Sequence, residues 1–103
     1  MNELQLAPEA ATDLIAAYRW YENQRVGLGD AFLRSVDAIL ERARRNPAIF
    51  PTVIGDYRQA LCRRFPYACF FIWSRNVVTL YGVFHTSMDQ SKWPDKLAGR
   101  KPQ

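Results

Sequence analysis

Histidine, cysteine and lysine are scarce in this chain. Of its 103 residues one is histidine (His85), two are cysteine (Cys62, Cys69) and three are lysine (Lys92, Lys96, Lys101). One histidine and two cysteines seven residues apart make no zinc spacing, and two cysteines are too few for a disulfide scaffold. Both read as small buried hydrophobes; the alternative, a cross-strand disulfide, is disfavoured in a reducing compartment. Long apolar runs are missing as well. No stretch approaches the roughly 18 residues of a membrane helix. The opening Met1-Asn2-Glu3 lacks the basic head of a secretory signal. A cytoplasmic location without membrane attachment is expected. There is no glycine-rich phosphate loop, no Ser/His/Asp arrangement and no aromatic-basic RNA-binding run. No cofactor and no metal is therefore expected.

What is present is an ordinary globular composition with an arginine bias. Hydrophobic residues make up 49% and charged residues 23% of the chain, which excludes disorder throughout. The length suits one small domain with a thin core. The net charge is +4, and eleven of the 14 cations are arginine. Arginine suits planar, bidentate contact with phosphate or carboxylate. The charge thus points to an acidic partner, a nucleic acid or an acidic protein, without choosing between them.

Along the chain the apolar period changes twice. Glu3 to Ala7 alternates, as a short strand does. Pro8 suits a first helical position. Ala11, Leu14, Ile15, Tyr18 and Tyr21 recur at helical spacing up to about Arg25, before Gly27 and Gly29. A second helix is expected from about Asp30 to Arg45. Its stripe is Phe32, Leu33, Val36, Ile39, Leu40 and Ala43, with Arg34, Asp37, Glu41, Arg42 and Arg45 on the other faces. Asn46-Pro47 stops it. The two helices should form an antiparallel hairpin. Pro47, Pro51 and Gly55-Asp56 mark an irregular segment. Three strand-like runs follow: Tyr57 to Arg64, Tyr67 to Trp73 and Val77 to Phe84, the second apolar enough to be a central strand. His85 to Gln103 is polar and basic apart from Trp93. The expected fold is α+β, in the order β-α-α-β-β-β: an N-terminal edge strand, a two-helix hairpin, then a three-stranded antiparallel sheet. The domain is expected to span residues 1–93, with 94–103 as a basic tail.

Candidate site residues follow from this placement. Arg58, Arg63, Arg64 and Arg75 lie in the strand region, and Arg58 and Arg64 share one parity along an extended strand. They suit a phosphodiester or an acidic protein surface; alternatively they keep an edge strand soluble. His85 follows the last strand. It is placed either for proton transfer or to cap a strand end by hydrogen bonding. Trp93 either folds back onto the sheet or stacks on a base.

Together these residues carry a resemblance. Ala10-Ala11-Thr12-Asp13-Leu14 and Trp20-Tyr21-Glu22 on the first helix are followed by Leu28-Gly29 with Phe32-Leu33. Then come Asn46-Pro47, Phe50-Pro51, Arg58, Arg64-Phe65-Pro66-Tyr67, Val83-Phe84-His85 and Trp93. In that order, over about residues 3 to 93, the chain resembles the RelE/ParE toxin superfamily of bacterial toxin–antitoxin modules. The resemblance implies a toxin neutralised in a hetero-oligomer by a cognate antitoxin that folds on binding. ParE-like members inhibit DNA gyrase. RelE-like members cut mRNA in the ribosome, and in that branch Arg58, Arg64 and His85 would be catalytic. Arg58, Arg63, Arg64 and Trp93 would contact the target or its phosphates. A third reading is an inactive relative that only binds antitoxin. The sheet carries no lysine, and the long helix hairpin with Trp20-Tyr21-Glu22 is the more ParE-like feature. The expectation is therefore a ParE-type gyrase inhibitor.

Overall fold

The computed structural model describes residues 2–100. Strand β1 (Glu3–Leu6) leads through Ala7 into helix α1 (Pro8–Gln24), with Pro8 in the first turn. Helix α2 (Leu28–Arg45) begins two residues before the expected start. The reason is Glu22. Its carboxylate accepts the Gly27 N–H (3.1 Å to each oxygen) and the Gly29 N–H (2.9 Å). An acidic group from α1 thus satisfies the unpaired donors at the start of α2, where the helix dipole favours negative charge. Gly27 takes φ +89°, a conformation that favours glycine. The helices cross closely at Gly29: a Cβ there would stand 2.8 Å from the Tyr18 carbonyl oxygen and from its ring.

Hydrophobic spacing on α2 becomes burial: Phe32, Val36, Ile39, Leu40 and Ala43 face the core. Tyr21 of α1 stacks on Phe32 (5.3 Å between ring centroids), and Phe65 and Tyr67 close the cluster edge-on. Leu14, farther back on α1, lines one shallow pocket with Leu33 of α2, as an antiparallel hairpin places them.

The sheet is mixed and five-stranded, in the order β1-β5-β4-β3-β2. Its members after the hairpin are β2 (Thr52–Ile54), β3 (Tyr57–Leu61), β4 (Tyr67–Ser74) and β5 (Val77–His85). β1 runs parallel to β5, with Leu4 opposite Val78, and the other pairs are antiparallel. The α+β class and the strand–hairpin–sheet order are those expected. β2 is an addition: it lies in the segment expected to be irregular and forms the second edge. β3 stops at Leu61 rather than Arg64, because Arg64 adopts φ +71° and Pro66 follows. Arg75 and Asn76, both at positive φ, form the two-residue turn between β4 and β5.

β4 is buried on both faces. Cys69 and Phe71 pack under the helix hairpin, and Ala68 and Phe70 on the opposite side. That opposite side is covered by helix α3 (Trp93–Ala98). The stretch expected as a tail is therefore folded against the sheet through residue 100. Trp93 packs on Phe70 (5.0 Å) and Phe84, Leu97 is fully buried, and the Tyr57 hydroxyl donates to the Leu97 carbonyl (2.7 Å). Burying Leu97 alone contributes on the order of 1.5–3 kcal/mol. Residues 101–103 of the expected tail lie outside the described residues.

β5 outlasts its partner β1, which ends opposite Leu80. Beyond that point the strand's edge is paired by side chains. Asp13 accepts the Val83 N–H (2.9 Å), and Arg100 donates to the Tyr81 carbonyl (3.0 Å). Arg100 and Asp13 also bind each other (2.5 Å). Among the described residues, no helix is long and apolar enough to cross a membrane.

Candidate functional site

One face of α2 and the connection between β3 and β4 form a groove of about 490 Å³. Helical spacing builds one wall in two rows. Ala31, Ser35 and Ile39 are four apart, and so are Arg34, Ala38 and Arg42. The small residues leave the floor low, and the arginines rise along the rim. Arg63 and Arg64 form the opposite wall. Their connection is tied to α2 by the Ser35 hydroxyl, which donates to the Arg63 carbonyl (2.6 Å). The positive φ of Arg64 turns the chain back toward β4.

The groove is cationic. Arg34, Arg42, Arg63 and Arg64 are exposed, and no acidic residue lines it among the described residues. Arg42 lies over the Phe50 ring (5.9 Å). Among the described residues no ion pair holds Arg34, Arg63 or Arg64. Guanidinium groups over an apolar floor suit a ligand that carries carboxylates or phosphates beside apolar groups.

The expected site residues divide. Arg63 and Arg64 come together in the groove, but on an irregular connection, so strand parity does not relate Arg64 to Arg58. Arg58 lies elsewhere: its guanidinium donates to the Phe50 carbonyl (2.6 Å) and sits over the Trp73 ring (5.6 Å). His85 caps the end of β5. Its Nδ1 accepts the Ser87 N–H (3.0 Å), and its ring meets Tyr67 edge-on (5.1 Å). Arg58 stands opposite Phe71 and His85 opposite Tyr67. Four residues of β4 separate those positions, about 13 Å along the strand. Arg58 and His85 therefore do not meet at one reacting centre. Trp93 is 5% exposed, which takes its ring out of reach of a base.

Sequence reasoning missed Arg34 and Arg42, read there as decoration on the outer faces of α2. The available signal was Arg34-x3-Ala38-x3-Arg42, a row of two arginines around a small residue. What it lacked was the knowledge that the β3–β4 connection passes beside that row.

A ring of Glu, Asp, His and Cys that could hold a metal is absent among the described residues. The cysteines are free, with their sulfur atoms 4.0 Å apart.

Comparison with known proteins agrees with the architecture. The chain is similar over 84% of its length to a solved chain of the chromosomal ParDE TA system from P. aeruginosa, 98% of which is covered. The TM-score is 0.64 at 19% identity. No curated protein matches the sequence. Residues 4–90, spanning β1 to the segment after β5, match the family described as ParE toxin of the type II toxin–antitoxin system parDE. By that match, which takes in both helices of the hairpin, all five strands and both groove walls, the chain belongs to the ParE toxin family.

Proposed function

We propose that this toxin acts in the cytoplasm by inhibiting DNA gyrase, and that a cognate antitoxin neutralises it in a hetero-oligomer. The observation that carries this reading is the family match over residues 4–90. The site geometry supports it over ribosome-dependent mRNA cleavage. A metal-independent nuclease needs its cations and its proton-transfer group around one phosphodiester. Here Arg58 is engaged by Phe50 and Trp73, about 13 Å along β4 from the position of His85.

In this reading the arginine groove is the seat of an acidic, amphipathic antitoxin segment. Arg34, Arg63 and Arg64 take its carboxylates, and Ala31, Ala38 and Ile39 take its apolar side chains. The segment orders as it binds, so the paired charges and the buried floor must outweigh the ordering cost.

The test is a gyrase supercoiling and cleavage assay with the purified, folded chain. Loss of supercoiling or accumulation of cleaved DNA is expected. No effect at a large excess of folded protein, together with cleaved transcripts in translating extract, would replace this reading with the ribonuclease one.

A further inference from the structure

Cys62 and Cys69 stand apart from the groove's charge chemistry, yet they sit behind its wall. Cys69 is on the central strand β4 and is fully buried. Cys62 is the first residue after β3, half-buried, and its N–H donates to the Tyr67 carbonyl (3.0 Å). The two sulfur atoms are 4.0 Å apart. Cys62 immediately precedes Arg63, whose carbonyl accepts from the Ser35 hydroxyl of α2. One half-buried thiol thus stands next in sequence to a residue of the groove wall, with the buried thiol of Cys69 in contact with it.

We propose that Cys62 and Cys69 are a peroxide-modification site, in which Cys62 is the attacking thiol and Cys69 the resolving one, and that the product is a reversible intramolecular disulfide. The Cys62 thiolate attacks one oxygen of a hydroperoxide and the O–O bond breaks. Cys62 becomes a sulfenic acid, and the departing oxygen leaves as water or alcohol after taking a proton. The Cys69 sulfur then attacks the Cys62 sulfur. The S–O bond breaks, and the hydroxyl leaves as water with the Cys69 proton. The two cysteines lose two electrons in all, and the peroxide gains them.

Electrostatics favour this division of roles. The hydrogen bond between the two sulfurs holds the Cys62 thiol below its usual range, whereas the same hydrogen bond and burial push Cys69 well above it. The more exposed sulfur is therefore the more nucleophilic at neutral pH. Closing the bridge requires the sulfurs to approach by roughly 2 Å. Cys69 is held inside the ladder opposite Ala60, whereas Cys62 is tied to β4 beyond the last ladder pair by its N–H to the Tyr67 carbonyl, so the approach falls on the end of β3.

The test is intact-mass analysis of the reduced full chain treated with hydrogen peroxide, with maleimide counting of free thiols. The expected product is a monomer about 2 Da lighter with no free thiol, restored by dithiothreitol. Cys69→Ser, and Cys69→Ala as its apolar counterpart, should stop at the sulfenic acid, about 16 Da heavier and labelled by dimedone. Cys62→Ser should leave Cys69 unmodified, with its fold checked by circular dichroism. Three outcomes in the parent chain would overturn the proposal: two free thiols at a dose that oxidises glutathione, over-oxidation of Cys62 without a bridge, or a bridge only between molecules.

Discussion

Asp13 and Arg100, from opposite ends of the described chain, close on each other at 2.5 Å and together pair the edge of β5 where β1 stops short. The carboxylate serves two donors at once, the guanidinium and the Val83 N–H. Arg100 also lies over the Phe84 ring (5.0 Å). Asp13→Ala strands a half-buried guanidinium and a strand N–H together. It should destabilise the fold by about 1–3 kcal/mol. Urea unfolding of the two chains measures this; an unchanged midpoint would show that water replaces the carboxylate without cost.

Gly29→Ala puts a methyl group 2.8 Å from the Tyr18 carbonyl oxygen, where the two helices touch. Backbone cannot rotate away as a side chain can. The hairpin must open, at a cost of about 1–3 kcal/mol that exceeds the gain in helix propensity. A thermal melt should show a fall of several degrees, whereas Gly99→Ala, where a Cβ meets nothing closer than 3.9 Å, should change little.

Glu41 on α2 predicts behaviour in acid. Hydrogen bonds from Arg44, and then from Arg45, hold its carboxyl down at about 2, from an ordinary 4.5. A group depressed on folding adds stability that is fully present above its unfolded value and disappears as pH falls through the folded one. The contribution should fade between about pH 4.5 and pH 2. Glu41→Gln should flatten this part of the stability–pH curve and leave the rest of the profile unmoved.

The arginine groove and His85 separate under substitution. Reversing charge at Arg34 and Arg63 together should weaken antitoxin binding at least tenfold and reduce its salt dependence, since two charge-assisted contacts are lost. His85→Ala should leave gyrase inhibition within a few fold of the parent. Titration calorimetry reads the first and a supercoiling assay the second. Loss of toxicity with His85 alone would return weight to the ribonuclease reading.

The helices and the three long strands were legible because each carries its own period over enough residues. Phe32 to Ala43 declares a helix, and Tyr67 to Trp73 a buried strand. β2 was hidden because three residues, Thr52 to Ile54, are too few for alternation to register between Pro51 and Gly55. α3 was hidden by its charges: only Trp93 and Leu97, four apart, mark its apolar face, and Pro94, Asp95 and Lys96 mask them. The site was half legible. Arg63 and Arg64 announce themselves as a pair. Arg34 and Arg42 do not, because their role depends on which element passes beside α2, a tertiary fact that no local pattern contains. The grouping of Arg58 and Arg64 with His85 belonged to the ribonuclease alternative of the resemblance, which needs the three to meet on one sheet face. The register sets Arg58 and His85 four residues of β4 apart.

The parallel pairing of β1 with β5 also sets an order in time. Glu3 finds its register partner, Val77, more than seventy residues later in the chain. By contrast, the helix hairpin and the β3–β4–β5 meander close over short separations. Contacts between near neighbours form before those that must first close a long loop. During synthesis, therefore, the first strand to emerge has to wait for the last one. Between its own emergence and the docking of β1, β5 offers an open edge beside a nascent hydrophobic layer, a window in which any strand-forming segment already in the cell competes for the place of β1.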